Sequence, residues 1–169
     1  MASTRVFVTK HKRRRQSITD YRKRLKMLLS HKTRAVVRKT NKYIVIQFVD
    51  FSSKGDVIKS QTNSRELVKK GWKYSCNNLP AAYLAGILAW KKAKTKGIKE
   101  AILDIGLKSA TRGNVIFSAL KGISDSGIKI NYDKEIMPDE KRIRGEHIKT
   151  YRKIDITQDF EKLKGELAK

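Results

Sequence analysis

Apolar residues at Tyr21, Leu25, Leu28 and Leu29 follow the spacing i, i+4, i+7, i+8, which is one stripe of an amphipathic helix. Arg22, Lys23, Arg24 and Lys26 fall on the remaining arc, so the pattern predicts a helix with one face for protein and a cationic face opposite. Ser17 or Thr19 is placed to cap it, with Asp20 in its first turn, where negative charge suits the helix dipole. Upstream, Met1–Gln16 carries no apolar period and reads as an extended arm that is disordered until a partner orders it.

At Thr33 the apolar period shortens to two. RAVVRKT, the pair Asn41-Lys42 and YIVIQFVDF together predict a β-hairpin, since Asn tolerates positive φ in a tight turn. A two-residue loop pairs Thr40 with Tyr43, and the register follows by counting. Ala35, Val37, Ile44, Ile46 and Phe48 then share a core face, with Lys39 near the rim. The other face carries Arg34, Val36, Arg38, Thr40, Tyr43, Val45, Gln47 and Val49. Cations, amides and an aromatic suit an RNA-facing sheet, and an antiparallel sheet with one face in water shows the same pattern.

A turn at Ser52–Gly55 leads to a third strand near Asp56–Thr62, then a short helix capped by Ser64 and stopped at Gly71. Asn77 or Asn78 caps a longer helix with Pro80 in its first turn and apolar positions at Tyr83, Leu84, Ile87, Leu88 and Trp90. EAILDIGL predicts a buried strand, VIFSALKGISDSG a helix stopping at Gly127, and IKI a last short strand. A further helix is expected at Thr157–Leu167. The fold class is therefore α/β: a mixed β-sheet in which a three-stranded antiparallel meander precedes αβα, with a basic N-terminal arm and a C-terminal extension.

Charge divides the chain in the same places. Residues 1–32 hold 11 Lys and Arg against 1 acid, residues 33–131 hold 19 against 6, and residues 132–169 hold 10 against 9. These counts mark a basic arm and helix (1–32), an α/β core domain (33–131) and a nearly neutral extension (132–169). The net charge of +24 on 169 residues is self-repelling, which makes nucleic acid the leading partner. Cys76 is the single cysteine, so neither an intramolecular disulfide nor a multi-cysteine zinc site can form. The longest mainly apolar run, Pro80–Trp90, is about half of the roughly 20 residues that span a bilayer, so no membrane partner is expected. No apolar segment of a secretory signal follows the basic start, although MASTRVFVTKHKRRR shares the composition of a transit peptide.

Catalysis finds little support. A meander followed by αβα is the topology of ribonuclease H-like folds, whose two-metal chemistry needs several converging carboxylates. The first strand has no acid, Asp50 ends the second, Asp56 begins the third, and Asp104 stands alone in AILDIGL. Asp104 reads instead as an acceptor for a neighbouring turn. His11, His31 and His147 lack Cys or acids at ligand spacing, and GLKSATRG does not place its lysine and hydroxyl in phosphate-loop order. No metal, cofactor, small-molecule substrate or enzymatic activity is expected. RNA fits better than duplex DNA, because a flexible cationic arm can follow a folded backbone and Tyr43 can stack an unpaired base. A non-specific RNA chaperone or nucleoid-type protein is the alternative use of the same charge.

RRRQSITDYRKRLKMLL, RAVVRKTNKYIVIQ, Gly71-Trp72, NLPAAYLAG, EAILDIGL, VIFSALKGISDSG and RGEHI occur in that order over about residues 5–150. Together they closely resemble the archaeal and eukaryotic branch of the 5S rRNA-binding ribosomal protein family numbered eighteen in the universal large-subunit scheme. Gln16-Ser17-Ile18 departs from the family's more usual Glu-Gly-Lys, and the last 20 or so residues match loosely. The resemblance implies a ribonuclease H-like motif without catalytic carboxylates, in a cytoplasmic ribosomal protein that docks 5S rRNA into the central protuberance. It implies that Lys10, Lys12, Arg13, Arg14 and Arg15, with Tyr21, Arg22, Lys23, Arg24 and Lys26, grip 5S rRNA. Arg34, Arg38, Lys39, Asn41, Lys42 and Tyr43 would add contacts to the same RNA, and Lys108 and Arg112 would lie near RNA in their loop. Arg142, Arg144 and His147, around RGEHI, would face 23S rRNA, with another 5S-binding ribosomal protein alongside.

Overall fold

The computed structural model describes residues 9–168; residues 1–8 of the expected arm lie outside the described residues. The arm is not wholly extended. Lys12–Arg15 form one turn of helix, α1, after which Ser17 takes a left-handed φ of 51° and turns the chain. Helix α2 spans Tyr21–Leu28, and its cap is Asp20 rather than Ser17 or Thr19. One carboxylate oxygen of Asp20 accepts from Arg22 N at 3.0 Å and Lys23 N at 3.2 Å, satisfying two amides that helix geometry leaves without partners.

The hairpin follows the expected register. Strands β1 (Arg34–Lys39) and β2 (Ile44–Asp50) pair antiparallel from Lys39 opposite Ile44 to Arg34 opposite Val49, and Thr40 N donates to Tyr43 O at 2.9 Å across the loop. Strand β3 (Val57–Asn63) pairs with β2 through a register shift at Phe48/Val49. Next comes a 3-10 helix, Ser64–Lys70, capped by Asn63 with Glu66 in a reciprocal capping box, and it stops at Gly71 with φ 95°. Ser64, expected as the cap, is buried. Its hydroxyl accepts from Ile44 N and donates to Cys76 O, tying β2 to the following loop.

Helix α3 (Leu79–Lys94) is capped by Asn78, and β4 (Ile102–Asp104) lies parallel to β1, giving the order β3-β2-β1-β4. Only three residues of EAILDIGL are strand, and Ile102 and Leu103 are half-exposed because β4 is a sheet edge. Helix α4 (Val115–Asp125) follows, capped by Asn114. The expected strand at 128–130 reduces to one bridge, Lys129 with Glu100. Ile128 and Ile130 still drive that segment into the core, so the apolar alternation reported burial correctly without a full ladder behind it. Short helices α5 (Glu140–Arg144) and α6 (Glu146–Arg152) lead to α7 (Thr157–Ala168), which packs on α3. Ile143, Ile156, Phe160, Leu163 and Leu167 join the same buried cluster as the sheet and α3.

Ala35, Val37, Ile44, Ile46 and Phe48 are fully buried on one sheet face beneath α3 and α4. Helix α3 is enclosed on nearly all sides: every residue from Leu79 to Ala89 is buried. Its contact with α4 is made backbone to backbone. A Cβ on Gly86 would collide with the Ala119 carbonyl, and one on Gly122 with the Tyr83 carbonyl.

The opposite face is locked by charge. Arg34, expected on an RNA-facing surface, is 3% exposed, with Nη1 3.1 Å from Asp104 and Nη2 2.6 Å from Asp56. Asp56 also takes both bonds of Arg24 Nη2 from α2, at 2.8 and 2.9 Å. Asp104 also accepts from Arg38 Nη2 at 2.9 Å and, as expected of a turn acceptor, from Gly106 N at 2.8 Å. The ladder Arg24–Asp56–Arg34–Asp104–Arg38 thus runs from α2 to the end of β4. Arg34 cannot serve as a phosphate ligand, because a buried guanidinium keeps its carboxylates.

Gly86→Ala should cost about 3 kcal/mol in urea unfolding, because backbone on α4 cannot yield to a methyl group as a side chain would. Asp56 is pushed up by burial, but its bonds from Arg34 and Arg24 outweigh this and hold its pKa below the ordinary 3.8. A depressed carboxylate contributes stability that is complete above its unfolded pKa and disappears as pH falls through the lower folded value. Thermal melts should therefore show wild type ahead of Asp56→Asn at pH 7 and the gap closing in acid below pH 3.8. A gap of constant size across that range would contradict the ladder's role.

Candidate nucleic-acid interface

Helices α1 and α2 form one cationic unit. Arg13 Nε donates to Thr19 Oγ1 at 3.0 Å, and the His11 ring lies 5.3 Å from Tyr21, so the turn at Ser17 is held from both sides. Lys10, Lys12, Arg13, Arg14 and Arg15 are exposed, as are Arg22, Lys23 and Lys26, and none of them makes an ion pair among the described residues. Arg24 differs. Its Nη2, which donates to both Asp56 oxygens, makes it the anchor of α2 rather than a free cation. Between α2 and the outer sheet face runs a groove of about 660 Å³, lined by Arg13, Lys23, Arg38 and Lys108 together with Val36, Val49, Ile58 and Ile105.

Arg38 stands at the groove with 43% of its side chain exposed. Its Nη1 donates to the Asp104 carbonyl at 2.6 Å, which aims the guanidinium across the loop after β4. Gly106 there has φ 66°, and a Cβ on it would come within 3.0 Å of the Arg38 guanidinium. The hairpin tip offers Lys39, Asn41 and Lys42, all exposed, while Asn77 Nδ2 donates to the Asn41 carbonyl at 2.9 Å and steadies the turn. Tyr43 is half-buried, and the Arg65 guanidinium sits 4.2 Å from its ring centroid. One ring face is thus occupied by a cation, which restricts Tyr43 as a base-stacking platform.

Lys108 and Arg112 are exposed on the loop before α4. Arg142 reaches the same loop, since a Cβ on Gly113 would lie 3.5 Å from its Nη1. The His147 pKa lies below the ordinary 6.5, first through partial burial and second through the Arg142 charge. Both effects disfavour the charged imidazole. Arg144 faces elsewhere, with Nε 3.5 Å from Glu161 on α7.

The carboxylates weighed for metal chemistry are engaged by protein. Asp104 and Asp56 hold Arg34, and Asp50 bonds Lys59 and Thr33 Oγ1, which hold its pKa down. Among the described residues no three potential ligands converge on a metal position. Two organising features escape a reading of local pattern: Asp56 and Asp104 as orienters, and Arg65 over Tyr43. Each pairing spans at least 20 residues, and no periodicity reports it.

The family model described as "Ribosomal large subunit proteins 60S L5, and 50S L18" matches residues 5–99 and 89–133. A relative, the large ribosomal subunit protein uL18 of Korarchaeum cryptofilum (strain OPF8), is 50% identical over 151 residues, covering 89% of this chain and 77% of its own length. The carboxylates of Asp50, Asp56 and Asp104 are tied up in ion pairs, with exposed cations around them. The chain belongs to this family of large-subunit ribosomal proteins, of archaeal and eukaryotic type, as a structural component of the ribosome with rRNA and ribosomal proteins as its partners.

Proposed function

We propose that the chain binds 5S rRNA and anchors it to 23S rRNA in the central protuberance, beside another 5S-binding ribosomal protein. The observation that carries this reading is the cationic unit of α1 and α2: eight exposed Lys and Arg from Lys10 to Lys26 on an element clipped to the sheet through Arg24 and Asp56. A preorganised surface loses less conformational freedom on binding than a flexible tail, and its fixed spacing lets shape rather than charge alone select the RNA. Residues 1–32 act as the clamp, residues 33–131 add Arg38, the hairpin tip and Lys108–Arg112, and residues 132–169 bring Arg142 and His147 toward 23S rRNA, while Arg144 is engaged by Glu161. Arg34 supports this surface from beneath and does not contact RNA.

Binding to 5S rRNA and to an unrelated structured RNA of equal length, at two salt concentrations, tests the reading. A preference for 5S rRNA that persists at higher salt supports it. Equal binding that falls alike for both RNAs would instead favour a non-specific RNA chaperone. Replacing Arg13, Arg14 and Arg15 together with Ala should lower the slope of log K against log salt by up to about 2–3, given a slope of about 0.7–0.9 for each neutralised phosphate. An unchanged slope would remove α1 from the interface.

A further inference from the structure

Four lysines from three separate stretches meet at the end of the sheet opposite the hairpin tip. Lys32 precedes β1, Lys59 lies in β3, and Lys96 and Lys99 flank the turn between α3 and β4; with His31 they line a depression of about 310 Å³. Six residues of β1 separate this end from Lys39, which at roughly 3.3 Å per residue is about 20 Å. The acids nearby are already committed: Glu100 pairs with Lys32 at 2.7 Å and Asp50 with Lys59. Lys96 and Lys99 make no ion pair among the described residues, and Lys129 adds a further positive field close to Glu100.

These lysines are held by an ordered backbone. Ile98, between Lys96 and Lys99, is buried, and its N–H donates to the Ala93 carbonyl at 3.2 Å. Gly97 turns the chain at φ 70°, and the Lys99 carbonyl accepts from Lys129 N at 3.0 Å. Cations on a fixed concave surface repel one another at a cost that an incoming polyanion relieves. No exposed apolar side chain lines the depression, so it lacks the hydrophobic centre of a protein–protein contact. Apart from the His31 imidazole it also lacks aromatic rings, and it has no arginines, which leaves phosphate backbone rather than bases as the matching chemistry.

We propose that this depression seats a second stretch of RNA backbone, distinct from the one held by α1 and α2, so that the chain holds two RNA segments on separate cationic surfaces. The proposal rests on the RNA-binding reading above and assigns a further surface to the RNA other than 5S.

Lysine acylation read by mass spectrometry, on the free full chain, its complex with 5S rRNA and the assembled large subunit, tests it. Lys96 and Lys99 should react in the first two states, be protected in the subunit, and react again after ribonuclease digestion. Lys12 and Lys23 should already be protected in the 5S complex. Failure there with Lys96 and Lys99 behaving as expected would defeat the 5S assignment and leave this proposal standing. Reactive Lys96 and Lys99 in the subunit would overturn it. Protection already present in the 5S complex would show one RNA reaching both surfaces and would overturn it too. Protection that survives ribonuclease would mean that a protein covers the site, and the proposal would again be overturned. As a second check, Lys96→Ala with Lys99→Ala should leave the 5S salt slope unchanged and lower the slope for docking the 5S complex onto 23S rRNA by up to about 1.8; no change in the docking slope would overturn the proposal.

Discussion

Arg34 carries a full positive charge into a site only 3% exposed to water, and the carboxylates of Asp104 and Asp56 are what make that tolerable. Removing one partner from such a group typically costs about 3–5 kcal/mol, because the remaining charge is neither hydrated nor matched. The geometry this imposes spreads outward. Asp56 must stand at the start of β3, where it also receives Arg24 and brings α2 against the sheet; Asp104 must end β4, where it also orients Arg38 and the Gly106 turn. The cationic surface of a protein with net charge +24 is thus positioned by two of its few acids.

A chain so positively charged meets a folding problem that the layout resolves by separation. The core of the sheet, α3, α4 and α7 is almost wholly apolar, with Gly86 and Gly122 letting α3 and α4 approach at backbone distance. The exposed lysines and arginines stay outside this core, where water and counterions screen them. On the sheet, the carboxylates of Asp50, Asp56 and Asp104 are engaged in ion pairs with Lys59, Arg34, Arg24 and Arg38.

Several apolar residues are left uncovered in the chain on its own. Leu25 and Leu29 on α2 are 61% and 68% exposed, and Phe51 beside them 60%. The stripe that predicted α2 is real as periodicity, yet α2 buries none of its own residues in this chain, because the ion pair to Asp56 rather than apolar packing attaches it.

Local signals alone determined much of this protein. Period-two alternation and the Asn41-Lys42 turn set the hairpin register; Asn77 or Asn78, Pro80, Gly71 and Gly127 marked helix ends; and the concentration of cations before residue 33 pointed to nucleic acid. These are decided by neighbours a few residues apart, which is why they are legible. Tertiary structure decided the rest. Arg34 and Arg38 occupy the same strand face four residues apart and look alike in sequence, but the arrival of Asp56 and Asp104 buries one and leaves the other at the groove. Likewise the segment at 128–130 has a strand's alternation but only one bridge, since ladder hydrogen bonds require a neighbouring strand to run alongside. The lysines at 32, 59, 96 and 99 become one surface only when three distant stretches meet, and no local pattern can report that convergence.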